Sequence, residues 1–271
     1  MDKKNLKIGV LIPDINSPYY SEVVNGISEY LKKMGHKFVL CSCGSDPLIE
    51  RSSFDFFKHN QCDGLIVISC SLKREDIQTL KEQGLRIVLA DNKIDAHFSA
   101  VINDNYAGAR ALFSHMFKMG CRKIGFLGGH PESYVIKERL RAYRDVLREN
   151  GIKSSSKLLV FGGSNQDFGY QNTQKLLDLK VDSIFGINDL VASGVMKYCD
   201  EHNIRIPEEL KLTGFDDLDL SSMLKVPLTT VYQSKELLGK KACELLISEI
   251  QSPFVTMSIV LDTTLKIRTS C

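Results

Sequence analysis

Short apolar runs alternate with longer amphipathic stretches along most of the chain. The runs at 6–12, 37–42, 64–68, 86–90, 123–127, 157–161, 182–186 and 209–214 have strand length, and the stretches that follow space their apolar residues as helices do. Such alternation builds mainly parallel sheets. Gly64-Leu65-Ile66-Val67-Ile68 is apolar throughout rather than at alternate positions, as a strand is when helices cover both faces of its sheet. The pattern predicts a doubly wound α/β fold.

Two places break the rhythm. Ser99-Ala100-Val101-Ile102-Asn103-Asp104 intervenes between the strand at 86–90 and the helix near 105–120, and the first crossing between two lobes is expected there. After a helix at 234–251, two β-rich runs, Thr256 to Leu261 and Thr264 to Arg268, follow with no helix between them, so the chain is expected to cross more than once.

Ligands of open parallel sheets bind beyond the carboxyl ends of the strands, so the residues just past each strand are the candidates for function. Past the first lies Pro13-Asp14-Ile15-Asn16-Ser17-Pro18-Tyr19-Tyr20, which opens a helix with two aromatics; past the fourth, Asp91-Asn92. Past the fifth come Gly128-Gly129-His130-Pro131 and a helix bearing Arg139 and Arg141, then Asn188-Asp189 after the seventh and Phe215-Asp216-Asp217 after the eighth. A sugar or nucleoside offers an apolar face and a rim of hydroxyls or amides, which aromatic surface and fixed planar donors and acceptors suit. Tyr19, Tyr20, Asp91, Arg139, Asn188 and Asp216 make up such a set. Position alone leaves the plain readings open: Asn188 and Asp216 as N-caps, Arg139 as a solvated helix residue, the tyrosines as core.

Charge narrows the partners. Thirty-five Lys and Arg against 33 Asp and Glu leave +2, without a run of one sign that would track a phosphate backbone. Met1-Asp2-Lys3-Lys4-Asn5 leads into Ile8 to Ile12, too short an apolar run for a signal segment or a membrane span, which points to the cytoplasm and to no membrane partner. The eight Cys have no Cys-x-x-Cys spacing and read as free thiols in a reducing compartment.

Enzyme motifs are missing. There is no Gly-x-Gly-x-x-Gly after a strand, no phosphate-binding Gly-x-x-x-x-Gly-Lys-Ser/Thr, no Gly-x-Ser-x-Gly and no His-Glu-x-x-His, and the six His lack metal-ligand spacing. Adjacent Asp216 and Asp217 leave their strand in different directions and are poorly placed to share a proton or a cation. No enzyme activity, cofactor or metal is expected.

In order and spacing, several segments resemble the LacI/GalR family of bacterial transcription regulators. They are Ile8-Gly9-Val10 with Pro13 to Tyr20, Phe126-Leu127-Gly128-Gly129, Arg139-Leu140-Arg141-Ala142-Tyr143, Asn188 to Gly194, Ile206-Pro207-Glu208-Glu209, Gly214-Phe215-Asp216-Asp217, and Pro227-Leu228-Thr229-Thr230-Val231-Tyr232-Gln233. The resemblance spans essentially the whole chain. It implies a type I periplasmic-binding-protein architecture: two Rossmann-like lobes, 1–103 plus 234–262 and 104–233 plus 263–271, with an effector in the cleft. It carries the family's effector contacts onto Tyr19, Tyr20, Asp91, Arg139, Asn188, Asp216 and Gln233.

The sequence departs from the family at Ser164 in Gly162-Gly163-Ser164-Asn165, where many members place an aromatic that stacks on the ligand; Phe161 and Phe168 are the neighbours able to replace it. Ala142 replaces a more usual Gly. The family's helix-turn-helix headpiece and hinge helix have no counterpart before Leu6, so operator DNA is expected to be bound only through a headpiece outside this chain. The implied function is a small-molecule effector sensor, sugar-like in specificity and acting as a homodimer, for which the amphipathic helices near 18–34 and 47–59, with Phe54, Phe56 and Phe57, offer candidate apolar surface that core packing explains equally well. The alternative is the solute-binding protein of a sugar transporter, against which stand the Asp216-Asp217 and Pro227 to Gln233 segments.

Overall fold

The structure, a computed structural model, describes residues 5–44, 46–69, 73–252 and 256–271. Cys70 and the first four residues lie outside the described set. The chain divides into two compact units, one of Met1–Asn103, Ser133–Val135 and Ser234–Asp262, the other of Asp104–Glu132, Ile136–Gln233 and Thr263–Cys271.

The first unit is built on β1 (Lys7–Ile12), β2 (Lys37–Ser42), β3 (Gly64–Ile68), β4 (Arg86–Ala90), β5 (Ser99–Asn103) and β11 (Ser258–Leu261). They form one sheet in the order β11-β5-β4-β3-β1-β2, with every pairing parallel. All five residues of β3 are buried, which the uninterrupted apolar run requires. The interrupting segment at 99–104 is itself a strand: β4 leads through residues 91–98, without a helix, into a parallel neighbour. Phe98 anchors that connection in a core shared with Phe54, Phe57, Leu65, Ile87 and Leu89.

Among the first unit's helices are α1 (Pro18–Met34), α2 (Pro47–His59) and α9 (Lys235–Gln251). Tyr19, Val23, Ile27 and Leu31 of α1 are buried at the four-residue spacing of one helix face. Gly35 in the left-handed region ends α1, its N–H bonded back to Leu31 and Lys32. α1 and α9 approach backbone to backbone: a Cβ on Gly26 would lie 2.1 Å from the Glu236 carbonyl, and one on Gly239 equally near that of Val23.

The second unit carries β6 (Ile124–Leu127), β7 (Leu159–Val160), β8 (Ser183–Gly186) and β9 (Lys211–Thr213), parallel in the order β7-β6-β8-β9. An antiparallel pair, β10 (Thr230–Gln233) and β12 (Thr263–Lys266), stands beside it. The run at 157–161 makes only a two-residue strand, because Ser156–Leu158 winds into a 3₁₀ turn. The helices are α4 (Asn105–Lys118), α5 (Tyr134–Glu149), α6 (Gln166–Leu177), α7 (Asp189–Glu201) and the single turn α8 (Leu220–Met223). Phe113, Phe126, Phe185 and Tyr143 interlock edge-on or tilted at the centre, their ring centroids about 5 to 6 Å apart.

Candidate functional site

Each parallel sheet reverses its winding beside its first strand, between β1 and β3 in the first unit and between β6 and β8 in the second, and such a reversal opens a crevice at the carboxyl ends. Backbone strain collects there. Ser69 after β3, Asp91 after β4, and Asp216 and Asp217 after β9 all have positive φ without being glycine.

In the first unit, Pro18 opens α1 and its buried face turns Tyr19 toward the end of β4. The Tyr19 hydroxyl donates to Asp91 Oδ2 at 2.8 Å and accepts from Asn103 Nδ2 at 3.2 Å, while Ser69 Oγ lies 3.5 Å from the same carboxylate oxygen. Asp91 is 4% exposed, and its Oδ1 has no hydrogen-bond partner among the described residues. Tyr20, half-buried, meets Tyr19 edge-on with centroids 5.3 Å apart.

In the second unit the central group is Arg139, on the buried face of α5 and 4% exposed. Its Nε donates to Asn105 Oδ1 at 2.9 Å, its Nη1 to the Ile187 carbonyl, and its Nη2 lies 3.9 Å from Asp216 Oδ1. The guanidinium also lies 3.7 Å over the Phe215 ring. Gln233 Nε2 donates to the same Asp216 oxygen at 2.7 Å, leaving Gln233 Oε1 buried without a hydrogen-bond partner among the described residues. Arg141, two positions on, faces outward over Tyr106 and pairs with Glu138.

Asn188 is the N-cap of α7: its Oδ1 accepts from the Val191 N–H at 2.9 Å, and its Nδ2 donates to the Ser164 carbonyl at 2.9 Å. Its amide is thus committed at both ends, to the helix start and to the Ser164 segment. Ser164 is exposed and meets Asn188 through its main-chain carbonyl. Neither aromatic substitute is free: Phe161 packs on Phe126 and Phe168 covers Gly162 and Gly163. Asp216 is not an N-cap, since no helix begins within two residues of it. Asp217 turns away to pair with Arg268 Nη2 at 2.6 Å.

The structure thus joins Tyr19 to Asp91, and separately Arg139 to Asp216 and Gln233. Sequence reasoning missed Ser69, Asn103 and Asn105, and placed Phe215 at a strand end without pairing it with Arg139. Ser69 follows a strand and was within reach of the strand-end rule; Asn103 and Asn105 escaped because 99–103 was not read as a strand. Among the described residues no group of three or more His, Cys, Asp or Glu is placed to hold a metal, and no helix is long and apolar enough to cross a membrane.

Known proteins give these features a context. The family model for the periplasmic binding protein-like domain matches residues 113–271. The chain is 29% identical over 264 residues to the ribose operon repressor of Halalkalibacterium halodurans, covering 96% of this chain and 78% of that protein. It is 26% identical over 248 residues to the HTH-type transcriptional repressor PurR of Photobacterium profundum, covering 90% and 74%. A solved LacI family transcriptional regulator from Enterococcus faecium with bound ribose matches at a TM-score of 0.87 and 26% identity, covering 97% of this chain and 98% of that one.

Proposed function

The chain belongs to the periplasmic binding protein-like family, as the effector-binding core of a LacI-type transcriptional regulator, and from this premise we propose that its effector is a neutral, hydroxyl-rich sugar. The proposed contacts are Tyr19, Tyr20 and Asp91 in the first unit and Arg139, Asn188, Asp216, Gln233 and the Ser164 segment in the second. One observation carries the reading: Asp91 Oδ1 and Gln233 Oε1 are buried acceptor oxygens with no hydrogen-bond donor among the described residues. Burying such an oxygen costs free energy unless something donates to it, and sugar hydroxyls donate.

Charge argues against an anionic effector. A phosphate or carboxylate would meet a carboxylate in either unit, Asp91 in the first and Asp216 in the second, and the cation beside Asp216, Arg139, already serves Asn105, the Ile187 carbonyl and Asp216. The relatives are repressors, which favours regulation over transport. The effector acts by binding one conformation of the regulator better than another, since equal affinity would shift nothing. Operator DNA is reached through a headpiece of the kind that "HTH-type" denotes, inside the cytoplasm. Leu48, Ile49 and Phe56 of α2, exposed at 75%, 47% and 46%, are the surface proposed for a homodimer, Phe54 and Phe57 being core.

A melting screen against ribose, other neutral pentoses and hexoses, and their phosphates tests the reading. A sugar at a hundred times its Kd adds about 2.7 kcal/mol of stability. The expected result is a shift with a neutral sugar that disappears in Asp91→Ala; a shift with phosphorylated sugars alone, or one untouched by that substitution, overturns the proposal.

A further inference from the structure

Next to Asn188 sits a residue that the ligand reading leaves unused. Asp189 has no exposed surface, yet it is a carboxylate. Its Oδ2 accepts from the Leu218 N–H at 2.8 Å and from Ser221 Oγ at 2.6 Å, and its Oδ1 from Thr230 Oγ1 at 2.6 Å. Its own N–H donates to the Phe215 carbonyl at 2.8 Å. One residue at the start of α7 thus ties together the loop 214–219, α8 and β10. The fit is close: a Cβ on Gly214 would stand 2.3 Å from Asp189 Oδ1.

That loop presents Asp216, held at a φ of 108°, and β10 presents Gln233. Asp216 and Asp217 both occupy backbone regions that non-glycine residues avoid, so their geometry persists only where neighbouring contacts fix it. We propose that Asp189 is a positioning residue: it clamps the segment 214–221 to β10 and thereby sets the arrangement of Asp216, Gln233 and Arg139. The proposal rests on the reading of those three as effector contacts.

The clamp responds to pH. Loss of hydration raises the Asp189 carboxyl to about 6, against the pull of its three hydrogen bonds, with Asp217 adding to the rise. Asp217 is itself paired with Arg268; α8 brings only hydroxyls, and β10 brings Thr230, its Tyr232 being exposed. The folded pKa lies above the unfolded one, so the closed segment gains stability as pH falls through about 6 toward the ordinary carboxyl range. The acquired proton has a place to go, because the Ser221 and Thr230 hydroxyls accept as well as donate.

Hydrogen exchange on the ligand-free protein, corrected for intrinsic rates, tests the clamp. Protection of residues 214–223 is expected to rise about tenfold between pH 7.5 and pH 5 in the wild type, and to stay flat in Asp189→Asn. At pH 7.5, Asp189→Ala is expected to lower protection of that segment about tenfold while α5 keeps its own. A wild-type pH profile in Asp189→Asn, unchanged protection in Asp189→Ala, or a loss spread equally over α5 overturns the proposal. No sugar enters the experiment, so a failed effector screen and a failed clamp are separate results.

Discussion

The first unit holds a buried acid with neutral groups, and the second holds a buried base with a carboxylate. Asp91 is met by the Tyr19 hydroxyl and Ser69, with no ion pair to it among the described residues. Arg139 is enclosed by an amide oxygen, a main-chain carbonyl, Asp216 and the face of Phe215. A carboxylate with an unused oxygen waits for donors. A guanidinium with its bonds already made acts more as a fixed frame around which Asp216 and Gln233 are set. The two buried charges thus differ in kind: Asp91 keeps an oxygen without a hydrogen-bond partner among the described residues, whereas Arg139 has its donors placed.

The contrast breaks first at Arg139. Arg139→Met keeps the apolar stem but leaves Asp216 buried without its cation, and should lower the unfolding free energy by about 3–5 kcal/mol, read by denaturant titration. A variant as stable as the wild type would show that Asp216 carries no charge to compensate. Asp91→Ala should cost less, about 1–3 kcal/mol, because the Tyr19 hydroxyl loses an acceptor but no opposite charge is stranded; a cost equal to that of Arg139→Met would erase the distinction between the units. Smallest is Asn188→Ala, which removes an N-cap worth about 1 kcal/mol. Its melting temperature should fall slightly, and a loss as large as that at Arg139 would mean that the Asn188 bond to Ser164 braces the site.

The architecture was legible because it depends on local pattern. The five buried positions of β3 and the four-residue spacing on α1 follow from which residues are apolar, and the sheets could be anticipated from them. β5 was harder, since Ser99–Asn103 lacks the helix that elsewhere announces the next strand, and it hid Asn103 and Asn105. The strand at 157–161 shrank to two residues because a 3₁₀ turn took its first half.

Periodicity along the chain was enough for the doubly wound fold, for the strand ends and for most of the polar side chains found there. Their relations came from the folded chain: that Tyr19 bonds Asp91 across 72 positions, that Arg139 lies over Phe215, that Asn188 caps a helix, and that Asp189 is fully enclosed. The reason is physical. Periodicity records which face of an element is apolar, a property of neighbours in sequence, whereas hydrogen bonds, burial of charge and positive φ depend on groups brought together from distant elements, and a list of residues carries no distances between them.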